Sequence, residues 1–259
     1  MRLRDLVRKE LAELAASRAF WLLLVIVGLL TGQAFITAVN AYAEASGIGG
    51  GAAALAQGLS PLDGILTPTL GAYDLAITLL FPFVAIRLIA NEKSSDAIKL
   101  MLQWPPSIER QIAAKVIALI GAWIVSLLPF FIALLLWRGY GGHLHATEVL
   151  NLLAGYTLRF LLIASIAMAA AALMSGAANA AIVVLAFTIG TWALDFIAAG
   201  RGGIAQTIAS FTPTAASRGF ERGLFRVDVV LVILIASLLG FALAANWLHL
   251  GRSIKARFA

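Results

Sequence analysis

Six runs of about 20 apolar residues, parted by short polar stretches, constrain this chain more than any other feature of it. They extend roughly over Phe20–Val39, Leu70–Ala90, Val116–Trp137, Val149–Leu173, Asn179–Ala199 and Val229–Leu248. Hydrocarbon offers backbone N–H and C=O groups no water to pair with, so a run of this length is read as a helix crossing a bilayer. The composition agrees: 61% of residues are hydrophobic, 12% are charged and the mean hydropathy is +0.95. That balance lies far from the globular norm. The expected fold class is therefore an all-α polytopic membrane protein of one domain, residues 1–259. The apolar run after Arg18 is too long for a cleavable leader, so the expectation is that it stays attached. "MSGAAN" between spans 4 and 5 reads as a tight turn, with Gly176 available for a positive φ.

Lysine and arginine set the expected orientation. Thirteen lie on the side of the termini, at the N-terminus, around the connection between spans 2 and 3, and after span 6. Five lie opposite, Arg138, Arg201, Arg218, Arg222 and Arg226, and Arg159 falls inside span 4. The positive-inside rule places both termini in the cytoplasm. The net charge of +6 thus reflects topology and not a nucleic-acid partner. Without cysteine there is no disulfide framework and no thiolate chemistry.

Two further segments have helical patterning. In residues 1–18, Leu3, Leu6, Val7, Leu11 and Leu14 form one stripe with Arg4, Arg8, Lys9 and Glu13 off it, which suits an amphipathic helix lying in the membrane plane. In residues 200–227, apolar residues recur on either side of Pro213, which suggests two short interfacial or re-entrant helices.

Chemical motifs are sparse. There is no G-x-x-x-x-G-K-[ST] loop, no H-E-x-x-H and no G-x-S-x-G with partners at matching depth. His143 and His145 form the one candidate metal pair, with Glu148 nearby as a third ligand, although solvated loop histidines are the plainer reading. Arg159, Asp74 and Asp195 are ionisable at or near membrane depth, where a charge must face protein or water. Arg159 is expected to pair with either aspartate, as a pathway lining or as an interhelical tie. Gly28 and Gly32 form a G-x-x-x-G in span 1 and mark a candidate helix-pairing face between two copies.

The stretch "NEKSSDAIKLMLQWPPSIERQIAAK", Asn91–Lys115, differs in kind. Ile98, Met101, Leu102 and Trp104 offer an apolar knob with a charged rim, Pro105-Pro106 forms a corner, and Ser107 can cap the helix leading into span 3. With Arg87 before it, this stretch resembles the pattern of ABC type-2 transporter permeases through Arg87, Glu92, Leu102, Pro105, Pro106 and Lys115, with Ser95-Asp96 in place of the usual Gly-Thr. The N-terminal stripe and the Pro213 segment resemble the family's elbow helix and external re-entrant segment. Within the family the chain looks most like the permeases of copper-enzyme maturation (nitrous oxide reductase) and gliding motility.

The resemblance implies a membrane subunit that is not itself an enzyme, binds no cofactor directly, and pairs with a second permease copy. Two ATPase subunits would hold ATP and Mg. They would dock on a coupling segment, residues 91–115, with Glu92, Asp96, Ile98, Met101, Leu102, Trp104, Pro105 and Pro106 at the contact. It implies export or flipping of a substrate across a prokaryotic inner membrane. The alternative is a non-transporting mechanical or signalling subunit that acts on a periplasmic accessory protein.

Overall fold

The computed structural model describes residues 2–45, 62–94, 107–198, 203–209 and 212–257, and all of its regular structure is helical. The helices are α1 (Leu3–Ala15), α2 (Arg18–Ala45), α3 (Thr67–Ser94), α4 (Ile108–Ser126), α5 (Leu128–Gly139), α6 (Ala146–Leu173), α7 (Ala177–Ala198), α8 (Gly203–Ala209), α9 (Pro213–Glu221) and α10 (Val227–Arg257). A π-helical turn, Leu62–Leu66, runs directly into α3. Six stretches are long and apolar enough to cross a bilayer: Arg18–Glu44, Leu62–Lys93, Ile108–Gly139, Ala146–Leu173, Ala177–Ala198 and Val227–His249. The chain is a multi-pass membrane protein. Below, the side of the bundle that carries α1 and the end of α10 is called the terminal side, and the other the far side.

Each span is longer than its apolar run, because the helices continue past the first polar residue. Span 3 is also not the single rod expected. Pro129 near the start of α5 cannot donate to the carbonyl four residues back, and the helix is interrupted at Leu127.

Spans 4 and 2 form the centre, with 72% and 67% of their most apolar stretch buried, while spans 5 and 6 lie outside at 22% and 17%. Aromatic rings fill the space between spans 2, 3 and 4. Trp123 stacks on Phe160 at 4.5 Å between centroids, Phe81 meets Phe160 edge-on at 4.8 Å, and Tyr73 lies 5.6 Å from Trp123. Span 6 approaches span 4 where a Cβ on Gly240 would stand 2.7 Å from Ser165 Oγ, so only glycine allows this crossing.

In α1 the buried side chains are Leu6, Glu10 and Leu14, whereas Leu3 and Leu11 are 40% exposed. The inward face is thus rotated from the expected apolar stripe, and it carries a carboxylate in its middle.

Candidate functional site

Two ionic constellations stand out, one on the terminal side and one within the membrane. The terminal one is centred on Lys115, which enters on the second turn of α4 and is fully buried. Its ammonium donates to both carboxylate oxygens of Glu10 at 3.0 Å, to Glu92 Oε1 at 2.8 Å and to the Leu88 carbonyl at 2.9 Å. The three N–H donors of the cation therefore meet acceptors from α1 and α3, the condition under which a buried charge is tolerated. Lys9 Nζ adds a second cation at 3.5 Å from Glu10 and Glu92 and 3.2 Å from Glu13, so two ammonium groups face three carboxylates. Burial holds the Glu10 carboxyl above its ordinary value, opposed by Lys115. For Lys9 burial pulls the pKa down, but Glu10, Glu92 and Glu13 together outweigh it and hold the amine above its ordinary value.

Three further ties surround this cluster. Arg87 Nη1 donates to Ser17 Oγ at 3.2 Å, at the junction of α1 and α2. Lys93 Nζ donates to the carbonyls of Ala171, Ala172 and Met174 at 2.9, 2.7 and 2.7 Å, so a cation of α3 caps the C-terminal end of α6. His249 Nε2 lies 2.5 Å from Glu109 Oε1 and joins α10, at the end of span 6, to the start of α4. Of the expected contact residues, Glu92 belongs to this cluster. Asp96, Ile98, Met101, Leu102, Trp104, Pro105 and Pro106 lie outside the described residues. Both ends of that connection are nevertheless in view: it leaves α3 just beyond Glu92 and Lys93 and re-enters at Ser107, the N-cap position of α4, two residues before Glu109.

The second constellation lies about 20 Å along α6 from Ala146, near the middle of that helix. Arg159 Nη1 pairs with Asp74 Oδ2 at 2.7 Å, both side chains 11% exposed. Arg159 Nε is buried with no partner. Of the two aspartates considered for Arg159, the structure selects Asp74. Asp195 instead pairs with Arg218 of α9 and ties span 5 to the far-side segment. That segment is two short helices split at Pro213, with the Thr212 hydroxyl accepting from the Ala215 N–H at 3.2 Å to cap the second. Its docking on span 4 is close. Phe220 is buried over Gly155, where an added Cβ would come within 2.7 Å of the phenylalanine, the Phe220 carbonyl accepts from Asn151 Nδ2 at 2.9 Å, and Tyr156 OH donates to Glu221 Oε1 at 2.9 Å.

A cavity of about 350 Å³ opens beside Arg159, between spans 2 and 5. A larger groove of about 660 Å³ lies on the far side against Arg138 and His143, and His145 is the N-cap residue of α6. Among the described residues no three His, Asp or Glu side chains gather closely enough to hold a metal ion. In span 1, a Cβ on Gly28 would touch Pro129 of α5 at 3.8 Å, whereas one on Gly32 would meet open space. Both glycines are half-buried, and Gly28 lies beside Pro129 of the same chain. Neither a protein-family model nor a curated protein matches this chain.

Sequence reasoning missed Glu10 and Lys93. Glu10 was detectable, since it stands four residues from both Leu6 and Leu14 on one helical face. Lys93 gave no such signal, because its acceptors are backbone carbonyls about 80 residues away.

Proposed function

We propose that this chain is the permease subunit of an ATP-binding-cassette transporter of the type-2 kind. It sits in a prokaryotic inner membrane with both termini cytoplasmic, pairs with a second copy, and is driven by two ATPase subunits that dock on the connection between spans 2 and 3. The observation that carries this reading is the buried cluster of Lys115 with Glu10 and Glu92. A connection that only joined two spans would not require its flanks to be fixed. Here α3 is tied to α1, α4 and α6, and α4 to α1, α3 and α10, through Glu92, Lys93 and Glu109 beside the connection's ends and Lys115 about two turns into α4. A push on residues 95–106 therefore passes to most of the bundle as a rigid displacement and is not lost in local bending. The sequence has no nucleotide-binding loop of its own, consistent with a separate motor.

The test is association. The tagged chain, co-expressed with the ABC ATPase encoded beside it, is expected to yield a complex with vanadate-sensitive ATP hydrolysis, and Leu102→Glu is expected to abolish the association. An unaffected complex would overturn the docking site. The seating of Phe220 on Gly155 and the Glu221–Tyr156 bond favour a second reading, a mechanical subunit whose far-side helices move with span 4 to act on a periplasmic partner. ATP-dependent accumulation of substrate in inverted vesicles selects the first reading, and far-side movement without flux selects the second.

A further inference from the structure

The cavity beside Arg159 has walls from span 2 (Leu75, Thr78, Leu79) and span 5 (Thr188, Ile189, Trp192), with Arg159 as the one charged lining residue among the described residues. Leu75, Ile189 and Trp192 are 53%, 50% and 55% exposed, at a height where the outer surface of the bundle meets hydrocarbon. The mouth therefore faces lipid, not water.

Three properties define what fits. Asp74 and Arg159 pair at 2.7 Å, and Glu221 lies within electrostatic reach of Asp74, so one cation stands among two carboxylates; an added anion would meet net repulsion there, and an added cation would face the guanidinium in a low-dielectric setting. The guanidinium carries five N–H donors, yet Asp74 is its one ion-pair partner among the described residues, and Nε has no partner at all. The site is thus short of acceptors. Of the two lining hydroxyls, Thr188 already donates to the Leu185 carbonyl at 3.1 Å, whereas Thr78 Oγ1 is buried with no hydrogen-bond partner among the described residues and adds to the unmet polar groups. A hydrocarbon chain alone would leave the surplus donors desolvated and unpaired.

We propose that this cavity binds an uncharged membrane amphiphile that presents a carbonyl or hydroxyl oxygen to Arg159 and enters sideways from the bilayer between spans 2 and 5. About 350 Å³ is within the usual range for a small-ligand site, enough for the oxygen-bearing end with an acyl chain trailing through the mouth. Binding needs no motor subunit. Only the step from ligand to transported substrate rests on the permease reading.

The experiment uses the purified full-length chain in lipid nanodiscs, with three photoreactive probes that share one diazirine-bearing chain: a diacylglycerol, the corresponding phosphatidic acid and a plain alkane. Diacylglycerol is expected to label the Leu75–Leu79 and Thr188–Trp192 peptides saturably, with excess unlabelled diacylglycerol competing. The alkane is expected to label there about tenfold less, the value of one hydrogen bond to a charged group, and phosphatidic acid, which keeps the carbonyls but brings a charge beside Asp74, about tenfold less as well. Leu75→Trp, which plugs the mouth from an exposed position, and Asp74→Leu/Arg159→Met, which removes both charges together, should each bring diacylglycerol down to the alkane level with wild-type thermal unfolding. Equal labelling by all three probes, labelling that does not saturate, or full labelling of Leu75→Trp would overturn the site. Preference for phosphatidic acid would overturn the assignment of an uncharged ligand. None of these outcomes depends on finding an ATPase, so the failure of one proposal is distinguishable from that of the other.

Discussion

Lys115 shows how one side chain can hold a junction of three helices. With no exposure to solvent, it stabilises the fold only while Glu10 and Glu92 remain opposite it, and removing it leaves two carboxylates buried side by side. Lys115→Met is therefore expected to lower stability by about 3–5 kcal/mol, as breaking a buried ion pair does, whereas Glu10→Gln/Glu92→Gln/Lys115→Met should recover much of that loss. Thermal unfolding of the two variants in detergent checks both statements, and a triple variant no better than the single would show that the cluster is not the source of the loss. The pH dependence has a sign of its own. Glu10 is held above its ordinary pKa, so docked α1 binds a proton more readily than free α1, and docking tightens as pH falls toward 4.5. Lys9 is also held above its ordinary value, so its contribution is complete below 10.5 and is lost as pH rises beyond that. Spin labels at exposed Arg8 and Ile117 are thus expected to keep their distance between pH 7 and 5 and to separate above about pH 10.5. Separation on acidification would show that an ordinary surface salt bridge governs docking.

Among the elements, the far-side helix α9 has the most specific seat. Phe220 rests where Gly155 has no side chain, so Gly155→Val should displace the ring at a cost of about 1–3 kcal/mol and free the Phe220 carbonyl from Asn151. Hydrogen exchange is expected to speed up across residues 213–221 and to leave α4 unchanged. Uniform protection in the variant would mean that the segment is held by its other contacts alone. This contact also marks the limit of what the sequence discloses. Span positions were legible because hydropathy is a local property of each run, and the short helices around Pro213 because proline imposes a local break. The seat of Phe220 was not legible, since a glycine 65 residues away looks the same in sequence whether it faces lipid or a ring. Arg159 was legible as a charge needing a partner, and the choice of Asp74 over Asp195 required the packing of span 4 against span 2.

For the whole molecule, the question on which the functional reading turns is which side faces the cytoplasm, because an ATPase reaches residues 95–106 only from there. The charge imbalance of thirteen against five favours the terminal side. Arg218 is paired with Asp195, and Arg226 with Asp228 at 2.5 Å, but the rule counts lysine and arginine and gives acidic partners little weight, so all five far-side arginines still count against it. The chain contains no cysteine, so single-cysteine variants carry no background. Tyr140, 70% exposed at the far end of span 3, and Arg8, on the outer face of α1, bracket the membrane. A membrane-impermeant maleimide added to intact spheroplasts is expected to modify Tyr140→Cys and to spare Arg8→Cys, with both modified once the membrane is opened. The reverse pattern would turn the Lys115 cluster and its connection outward, away from any cytoplasmic motor. The cluster would then keep its structural role and lose its mechanical one.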